Sequence, residues 1–265
     1  MFEIRHKDLK VSTGKLRMEC RKILLLIAGL ICGNLHAMEI TVLSAGAVET
    51  GMEKFAHHIK LETGHELKIQ FNTAPQIAKR LADGELFDIL VSPPAVMERV
   101  ALEGKIVSET RVAVGRVGVG VTVRDELAAP DISTPKKLEQ AVLAADRVVY
   151  NQASTGLYMD KLFEKMGLAE QLKGRTQRYA NGEMVLEHII NGLGIEIGFG
   201  AITEIRRFEG KGLKMVGQLP ANLQNWTQYE AVRMTSSAKT EAVDAVLKQI
   251  TTPSGKAAFS SAGIE

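Results

Sequence analysis

The sequence predicts an α/β protein built on parallel sheets, and three observations support this prediction. Short apolar runs alternate with helix-length segments along most of the 265 residues. The spacing between successive runs leaves room for the helical crossover that parallel strands need. With 45% hydrophobic residues, the chain can bury a good core as one large domain or as two lobes. Together these features are typical of the α/β class.

The individual elements follow from apolar periodicity and from the residues that begin and end helices. Strands are predicted at 39–43, 66–71, 87–91, 112–123, 147–150, 195–200, 214–216 and 227–234. Helices are predicted at 48–63, 75–83, 94–103, 136–144, 156–166, 183–190, 239–249 and 254–261. The β-branched run at 112–123 is the longest strand, and Pro130 and Pro135 mark the turn that follows it.

Residues 18–37 have the pattern of a secretory signal. Arg21 and Lys22 precede an apolar run at 23–32, and Ala37 supplies the small residue expected at the cleavage point. The apolar run is about half the roughly 20 residues that span a bilayer, which disfavours a membrane anchor. We therefore expect residues 1–37 to be a signal peptide, with the true start at Met18, and the cleaved protein to be periplasmic.

Cleavage changes the charge and removes both thiols. Residues 1–37 carry seven basic and three acidic side chains, so the formal charge of +2 falls to −2 in the remaining chain. This balance gives no argument for nucleic acid binding. Cys20 and Cys32 leave with the leader, which excludes disulfides and a Cys-ligated metal site from the mature chain. Cys32 is a poor site for a lipid anchor because no small residue precedes it.

Three strand-to-helix turns are candidates for ligand binding, because ligands of parallel α/β sheets lie at the carboxyl ends of strands. The first turn contains Ser44, Gly46 and Ala47, small residues that expose backbone amides. The other two turns are rich in hydroxyl and amide side chains, namely Asn72, Thr73, Gln76, Ser154 and Thr155, and Gly156 ends the third turn. Each turn alone is explained by helix capping, as the Thr73–Gln76 spacing shows. Three of them in one chain favour a binding site.

Four segments of the chain have a recognisable pattern: ITVLSAGAVETGMEKFA, IAKRLADGELFDILVSPPAVMERV, TGLYMDKLFEKMG and KQITTPSGKAAFSSAGIE. In these segments the chain resembles the periplasmic substrate-binding proteins of ABC transporters, specifically the molybdate-binding-protein-like group. The resemblance covers 39–265 and implies a class II two-lobe α/β fold with two hinge-crossing strands, near 115–122 and 227–234. It places lobe 1 at 39–117 and 230–265, and lobe 2 at 118–229.

The same resemblance implies a small anionic ligand, a permease partner and a monomer, but the ligand positions have diverged. The serine of the first turn falls on Ala47, and the tyrosine of the family falls near Ala201. A second-lobe amide falls at Thr155, and a further backbone position lies near Glu183. Because two hydroxyls are missing, we expect a small organic carboxylate or another anion in place of molybdate. A molybdate- or tungstate-binding protein is the alternative.

Arg116 and Glu183 are the charged candidates. Arg116 lies in a predicted crossing strand, where its guanidinium could grip a carboxylate; an outward position or a pairing with an acid is the equal alternative. Glu183 follows Asn181 and Gly182 and suits the start of a helix. In a binding site it would favour an amine or hydroxyl group on the ligand.

Enzymatic patterns are weak, so the sequence predicts a binding protein that is not an enzyme and has no cofactor or metal. Gly118 and Gly120 lie within a strand, not in a phosphate-binding loop. His57 and His58 have no carboxylate at metal-site spacing, and no nucleophile elbow is present. An exported sensor or enzyme domain on the same fold remains the other hypothesis, because fold alone does not decide function.

Overall fold

The computed structural model describes residues 37–265. Residues 1–36 of the predicted signal sequence, with Met18, Cys20 and Cys32, lie outside this range. Among the described residues no helix is both long and apolar enough to cross a membrane.

Nine strands and nine α-helices make up the described part of the chain. The strands are β1 Glu39–Ala45, β2 Glu66–Asn72, β3 Ile89–Ser92, β4 Val112–Arg124, β5 Arg147–Asn151, β6 Thr176–Tyr179, β7 Glu196–Ala201, β8 Leu213–Gln218 and β9 Trp226–Arg233. The helices are α1 Glu49–Thr63, α2 Ala74–Ala82, α3 Pro94–Leu102, α4 Pro135–Ala144, α5 Ser154–Lys165, α6 Gly182–Asn191, α7 Ile202–Phe208, α8 Thr240–Ile250 and α9 Pro253–Ser260.

Two of these elements were not predicted, β6 and α7. The four residues of β6 are all half-buried, so they show no alternation of apolar and polar positions. Helix α7 has seven residues and follows β7 without a polar turn, which leaves too short a stretch to display a helical period. A 3-10 turn at Gly46–Val48, also unpredicted, leads from β1 into α1.

The strands form one continuous sheet in the order β2-β1-β3-β9-β4-β7-β5-β6, with β8 paired to β4. Strand β1 runs parallel to β2 and β3, and β5 runs parallel to β6 and β7. The two parallel groups are joined through β4 and β9, which pair antiparallel to each other. This arrangement confirms the predicted two-lobe α/β fold with two crossing strands.

Strand β4 changes partners halfway along its length. Its first half pairs with β9 as far as Gly118, opposite Trp226, and its second half pairs with β7 from Val119, opposite Ala201. A bulge between Ala113 and Gly115 shifts the register of the first half. Gly115 has a φ of 147°, a backbone conformation that favours glycine.

The hydrophobic core is divided in the same way. One core group draws on residues 40–117, Ala201 and 229–264, where Phe55 stacks on Phe259 with ring centroids 5.3 Å apart. The groups beyond Val119 draw on residues 119–219. The separation of these cores supports the predicted lobe limits, which themselves stay a prediction.

Candidate ligand-binding cleft

A cavity of about 180 Å³ lies where the carboxyl ends of β1, β2, β5 and β7 meet. Because one water needs roughly 10–15 Å³, the cavity has room for a ligand of roughly ten non-hydrogen atoms. Both parallel groups of strands contribute to its walls. Its polar and charged lining residues are Glu49, Asn72, Thr73, Gln76, Asn151, Ser154, Thr155, Asn181, Glu183, Glu204, Arg207 and Tyr229.

The first turn contributes backbone and small side chains. Ala45, Gly46 and Ala47 line the cavity, which is what the sequence predicted for Gly46 and Ala47. Ser44 does not line it. Its side chain is fully buried within β1, and its hydroxyl donates to the Ala45 carbonyl at 3.3 Å. The serine of this turn is therefore part of the core.

The second turn is held by the predicted capping pair. The Gln76 carboxamide oxygen accepts from the Thr73 backbone N–H at 2.8 Å and from the Thr73 hydroxyl at 3.0 Å. Asn72 Oδ1 accepts from Arg80 at 2.6 Å. These bonds fix the start of α2 and leave Asn72 and Thr73 on the cavity wall.

The third turn is organised by Asn151 at the end of β5. Its side-chain oxygen accepts from the backbone N–H groups of Ala153 at 2.9 Å and Gly156 at 3.1 Å. Ser154 and Thr155 line the cavity, but Gly156 does not. A Cβ at Gly156 would lie 1.6 Å from the Asn151 carbonyl oxygen. Gly156 is therefore required for the close approach of α5 to β5, and its predicted role in ligand binding is not supported.

The start of α6 forms a fourth wall. Asn181 caps the helix by accepting from the Met184 N–H at 2.9 Å. Gly182 and Glu183 line the cavity beside it. Helices α2, α5 and α6 thus all begin at the cavity, and their free N–H groups and dipoles favour negative charge there.

Helix α7, which the sequence did not predict, brings the main charged groups to the cavity. Arg207 forms an ion pair with Glu49 of α1 and lies 3.9 Å from a Glu183 oxygen. The Thr203 hydroxyl donates to the Ala47 carbonyl at 2.6 Å. Helix α7 is therefore fixed against the first turn by a hydrogen bond and an ion pair.

Glu204 of α7 carries the most perturbed carboxylate of the cavity. Burial raises its pKa to about 7, and the negative charges of Glu49 and Glu183 act in the same direction. The Ala201 backbone and the positive charge of Arg207 oppose this rise only in part. The side chain is surrounded by protein atoms yet remains partly accessible from the cavity.

The cavity is lined by a tyrosine, but this tyrosine lies on β9, whereas the family pattern implies one near the end of β7. Ala201, the expected tyrosine position, lines the cavity at the end of β7. Tyr229 of β9 lines the same cavity. Burial raises the pKa of its hydroxyl, and the negative charge of Glu204 adds to this rise. Its hydroxyl is therefore a neutral hydrogen-bond donor.

Arg116 lies away from the cavity, so the prediction of a carboxylate clamp is not supported by its position. Its guanidinium donates to the Glu265 carboxylate at 3.1 Å and stacks over Trp226, 4.5 Å from the ring centroid. Its backbone also pairs with Glu265 in both directions. The pairing of Arg116 with an acid, which the sequence offered as an alternative to the clamp, is what the structure contains.

The structure thus brings together eight of the eleven predicted site residues: Gly46, Ala47, Asn72, Thr73, Ser154, Thr155, Glu183 and Ala201. Sequence reasoning missed Glu204, Arg207 and Tyr229. Glu204 and Arg207 could have been found because they follow directly after the end of β7, and ligands bind at the strand ends of parallel sheets. No cluster of metal-ligating side chains occurs within residues 37–265.

Comparison with known proteins agrees with this fold. Residues 40–265 match the family model described as bacterial extracellular solute-binding protein. The periplasmic molybdate-binding protein of Azotobacter vinelandii has a TM-score of 0.71 and 17% identity over 85% of this chain and 98% of that one. PEB3, solved with L-phospholactate bound, has a TM-score of 0.65 and 11% identity over 84% and 98%. At these identities the likeness establishes the fold alone.

One relative found by sequence is an enzyme. The aconitate isomerase of a Pseudomonas species is 25% identical over 232 residues, which cover 85% of this chain and 87% of the relative. The prediction that the protein is not an enzyme is therefore not confirmed.

Proposed function

We propose that this chain, which belongs to the bacterial extracellular solute-binding protein family, captures a small organic carboxylate in its cleft and delivers it to an ABC transporter. The cleft has donors for a carboxylate in Arg207 and in the N-termini of α2, α5 and α6. PEB3 shows the fold with a bound organic acid. The protein is proposed to act in the periplasm as a monomer after removal of residues 1–37.

One observation carries the choice of an organic ligand: Glu204 and Arg207 face the same cavity. A tetrahedral oxyanion only accepts hydrogen bonds, and it would be repelled by Glu49, by Glu183 and by the ionised form of Glu204. An organic acid can place its carboxylate near Arg207 and turn a hydroxyl or a carbon–hydrogen group towards the glutamates. The cavity is also larger than a tetrahedral oxyanion needs. Molybdate or tungstate stays the alternative ligand.

We infer that the two lobes, 39–117 with 230–265 and 118–229, close on this ligand. The cavity is lined from both cores, and β4 and β9 are the connections between them. Closure around a ligand is the usual motion of such proteins. A decrease in the radius of gyration on ligand addition would test it, and an unchanged radius with saturating ligand would contradict it.

A thermal-shift screen tests the ligand class. Purified protein is melted with citrate, tricarballylate, trans-aconitate, L-malate, molybdate, tungstate and sulfate. A ligand at about 100 times its Kd adds roughly 2.7 kcal/mol to the free energy of unfolding. We expect a shift with at least one carboxylate, and shifts with molybdate or tungstate alone would contradict the proposal.

A second candidate function is isomerisation of an unsaturated polycarboxylate. Two observations favour it: the aconitate isomerase relative and the pKa of about 7 at Glu204, which suits proton transfer near neutral pH. Proton NMR of trans-aconitate, which we call the unsaturated tricarboxylate probe, tests it. The appearance of cis-aconitate with protein, and not with heat-inactivated protein, would support this function.

A further inference from the structure

We propose that Glu204 is the proton-transfer residue of this cleft and that it moves a proton between two carbons of a bound unsaturated polycarboxylate. This inference rests on the second candidate function above. Proton transfer by Glu204 would be needed for isomerisation and not for binding alone.

The position of the Glu204 carboxylate is the first argument. It lies between the turn that follows β1 and the start of α6, and it has a glycine on each side. A Cβ at Gly46 would lie 3.5 Å from one of its oxygens, and a Cβ at Gly182 would lie 2.1 Å from the other. The absence of a side chain at Gly182 leaves room for the carboxylate at this place, and Glu204 lines the cavity together with both glycines. A ligand held at the two turns would therefore lie against it.

The charges around Glu204 are the second argument. The groups that face it are Glu49 of α1, Glu183 of α6, Arg207 of α7 and Tyr229 of β9. Burial and the two glutamates make its carboxylate a stronger base than an exposed one, and a group with a pKa near the working pH is the most effective proton carrier. Such a perturbed group in a cavity is a candidate for catalysis.

The other acid–base groups of the cavity are less suited to this role. Glu49 is engaged in an ion pair with Arg207. The side chain of Glu183 is 58% exposed, so water competes for it. Tyr229 holds its proton because burial raises its pKa. Glu204 is thus the carboxylate that combines burial with access to the ligand.

The reaction balances without an oxidant or a reductant. The Glu204 carboxylate takes a proton from the carbon that lies between a ligand carboxylate and the double bond. The electrons of the broken C–H bond form a new double bond to the neighbouring carbon. The electrons of the original double bond move onto its far carbon and delocalise into the carboxylate attached there. Protonated Glu204 then gives the proton to that far carbon. One C–H bond is broken and one is formed, and the double bond has moved by one position.

The remaining cavity groups stabilise the intermediate. Its negative charge accumulates on the oxygens of the ligand carboxylates, and the cavity is lined by Arg207 and by the residues at the starts of α5 and α6. Preorganised donors of this kind are the usual means of stabilising a developing oxyanion.

Solvent-deuterium exchange tests the assignment. Full-chain wild type, Glu204→Gln and Glu204→Asp are incubated in D2O with the unsaturated tricarboxylate probe, and NMR follows deuterium at carbon and the appearance of the isomer. Glu164→Gln, an exposed carboxylate of α5, is the matched control. We expect Glu204→Gln to reduce both rates about 100- to 10,000-fold and Glu204→Asp to retain part of them, with the control unchanged.

Binding and pH dependence separate this role from a structural one. By calorimetry Glu204→Gln should still bind the probe, because it removes a negative charge from the cavity. The kcat/KM of wild type should rise as pH increases through about 7. Isomer formation that persists within threefold in Glu204→Gln, or wild type that binds the probe and forms no isomer, would overturn the inference and leave the binding function intact. Failure of wild type to bind any carboxylate would overturn both.

Discussion

Replacing Glu204 by glutamine should stabilise the ligand-free protein at neutral and alkaline pH. Glutamine has nearly the same shape as glutamate and carries no charge at any pH. In the folded protein the carboxyl group holds its proton up to a pH of about 7, whereas the ordinary pKa of a glutamate is 4.5. Between these values the folded state binds one more proton than the unfolded chain, so the free energy of unfolding falls as pH rises.

The size of the effect follows from the two pKa values. The rise from 4.5 to about 7, at about 1.4 kcal/mol for each pH unit, corresponds to about 3.5 kcal/mol as an upper limit. Because the cavity leaves part of the side chain in contact with water, we expect about 2–3 kcal/mol. Wild type and Glu204→Gln should therefore differ little below pH 4.5, and the variant should be more stable by this amount above pH 7.

Urea unfolding of both proteins from pH 4 to pH 8 measures this difference. Subtracting the wild-type curve from the variant curve removes the contributions of the titratable groups that the two proteins share. Glu164→Gln provides the control for an exposed carboxylate and should give a flat difference curve. A flat curve for Glu204→Gln as well would refute the reasoning on burial.

Three further substitutions test the geometry of the cleft. Gly156→Ala should lower the free energy of unfolding by about 3 kcal/mol, because its Cβ would lie 1.6 Å from the Asn151 carbonyl oxygen; a loss below 1 kcal/mol in urea unfolding would contradict this. Arg207→Gln should weaken carboxylate binding about 10- to 100-fold through loss of a charged hydrogen bond. Because Arg116 contacts Glu265 and not the cavity, Arg116→Gln should bind within twofold of wild type. Calorimetry compares the two variants, and a larger loss in Arg116→Gln would contradict the position of Arg207 in the ligand site. Gly182→Ala should push the Glu204 carboxylate, which would lie 2.1 Å from the new Cβ, into the space of the ligand. It should weaken binding at least tenfold, with a cost of about 1–3 kcal/mol in stability; unchanged affinity would show that the ligand does not lie against that carboxylate.

The turns of the cleft could be predicted because their signals are local. The Thr73–Gln76 pair has the spacing of a capping box, and in the structure the Gln76 side chain accepts from the Thr73 backbone N–H as that box requires. The small residues after β1 and the hydroxyls after β5 stand directly at strand ends, where the α/β class places its ligands. Local capping and strand-end rules were sufficient for these residues.

The charged part of the cleft could not be predicted in the same way. Helix α7 has seven residues, and its role depends on β7 lying beside β4, a pairing between distant parts of the chain. The position of Arg116 depends on the bulge between Ala113 and Gly115, which interrupts the alternation of side chains along β4. Both features arise from tertiary register, which a pattern of single residues does not contain.

Titration calorimetry of purified protein with the unsaturated tricarboxylate probe, citrate and molybdate distinguishes a carboxylate ligand from an oxyanion. We predict measurable heat and a single site for at least one carboxylate, competition among carboxylates for that site, and no submicromolar affinity for molybdate. Submicromolar molybdate binding with no carboxylate binding would contradict it.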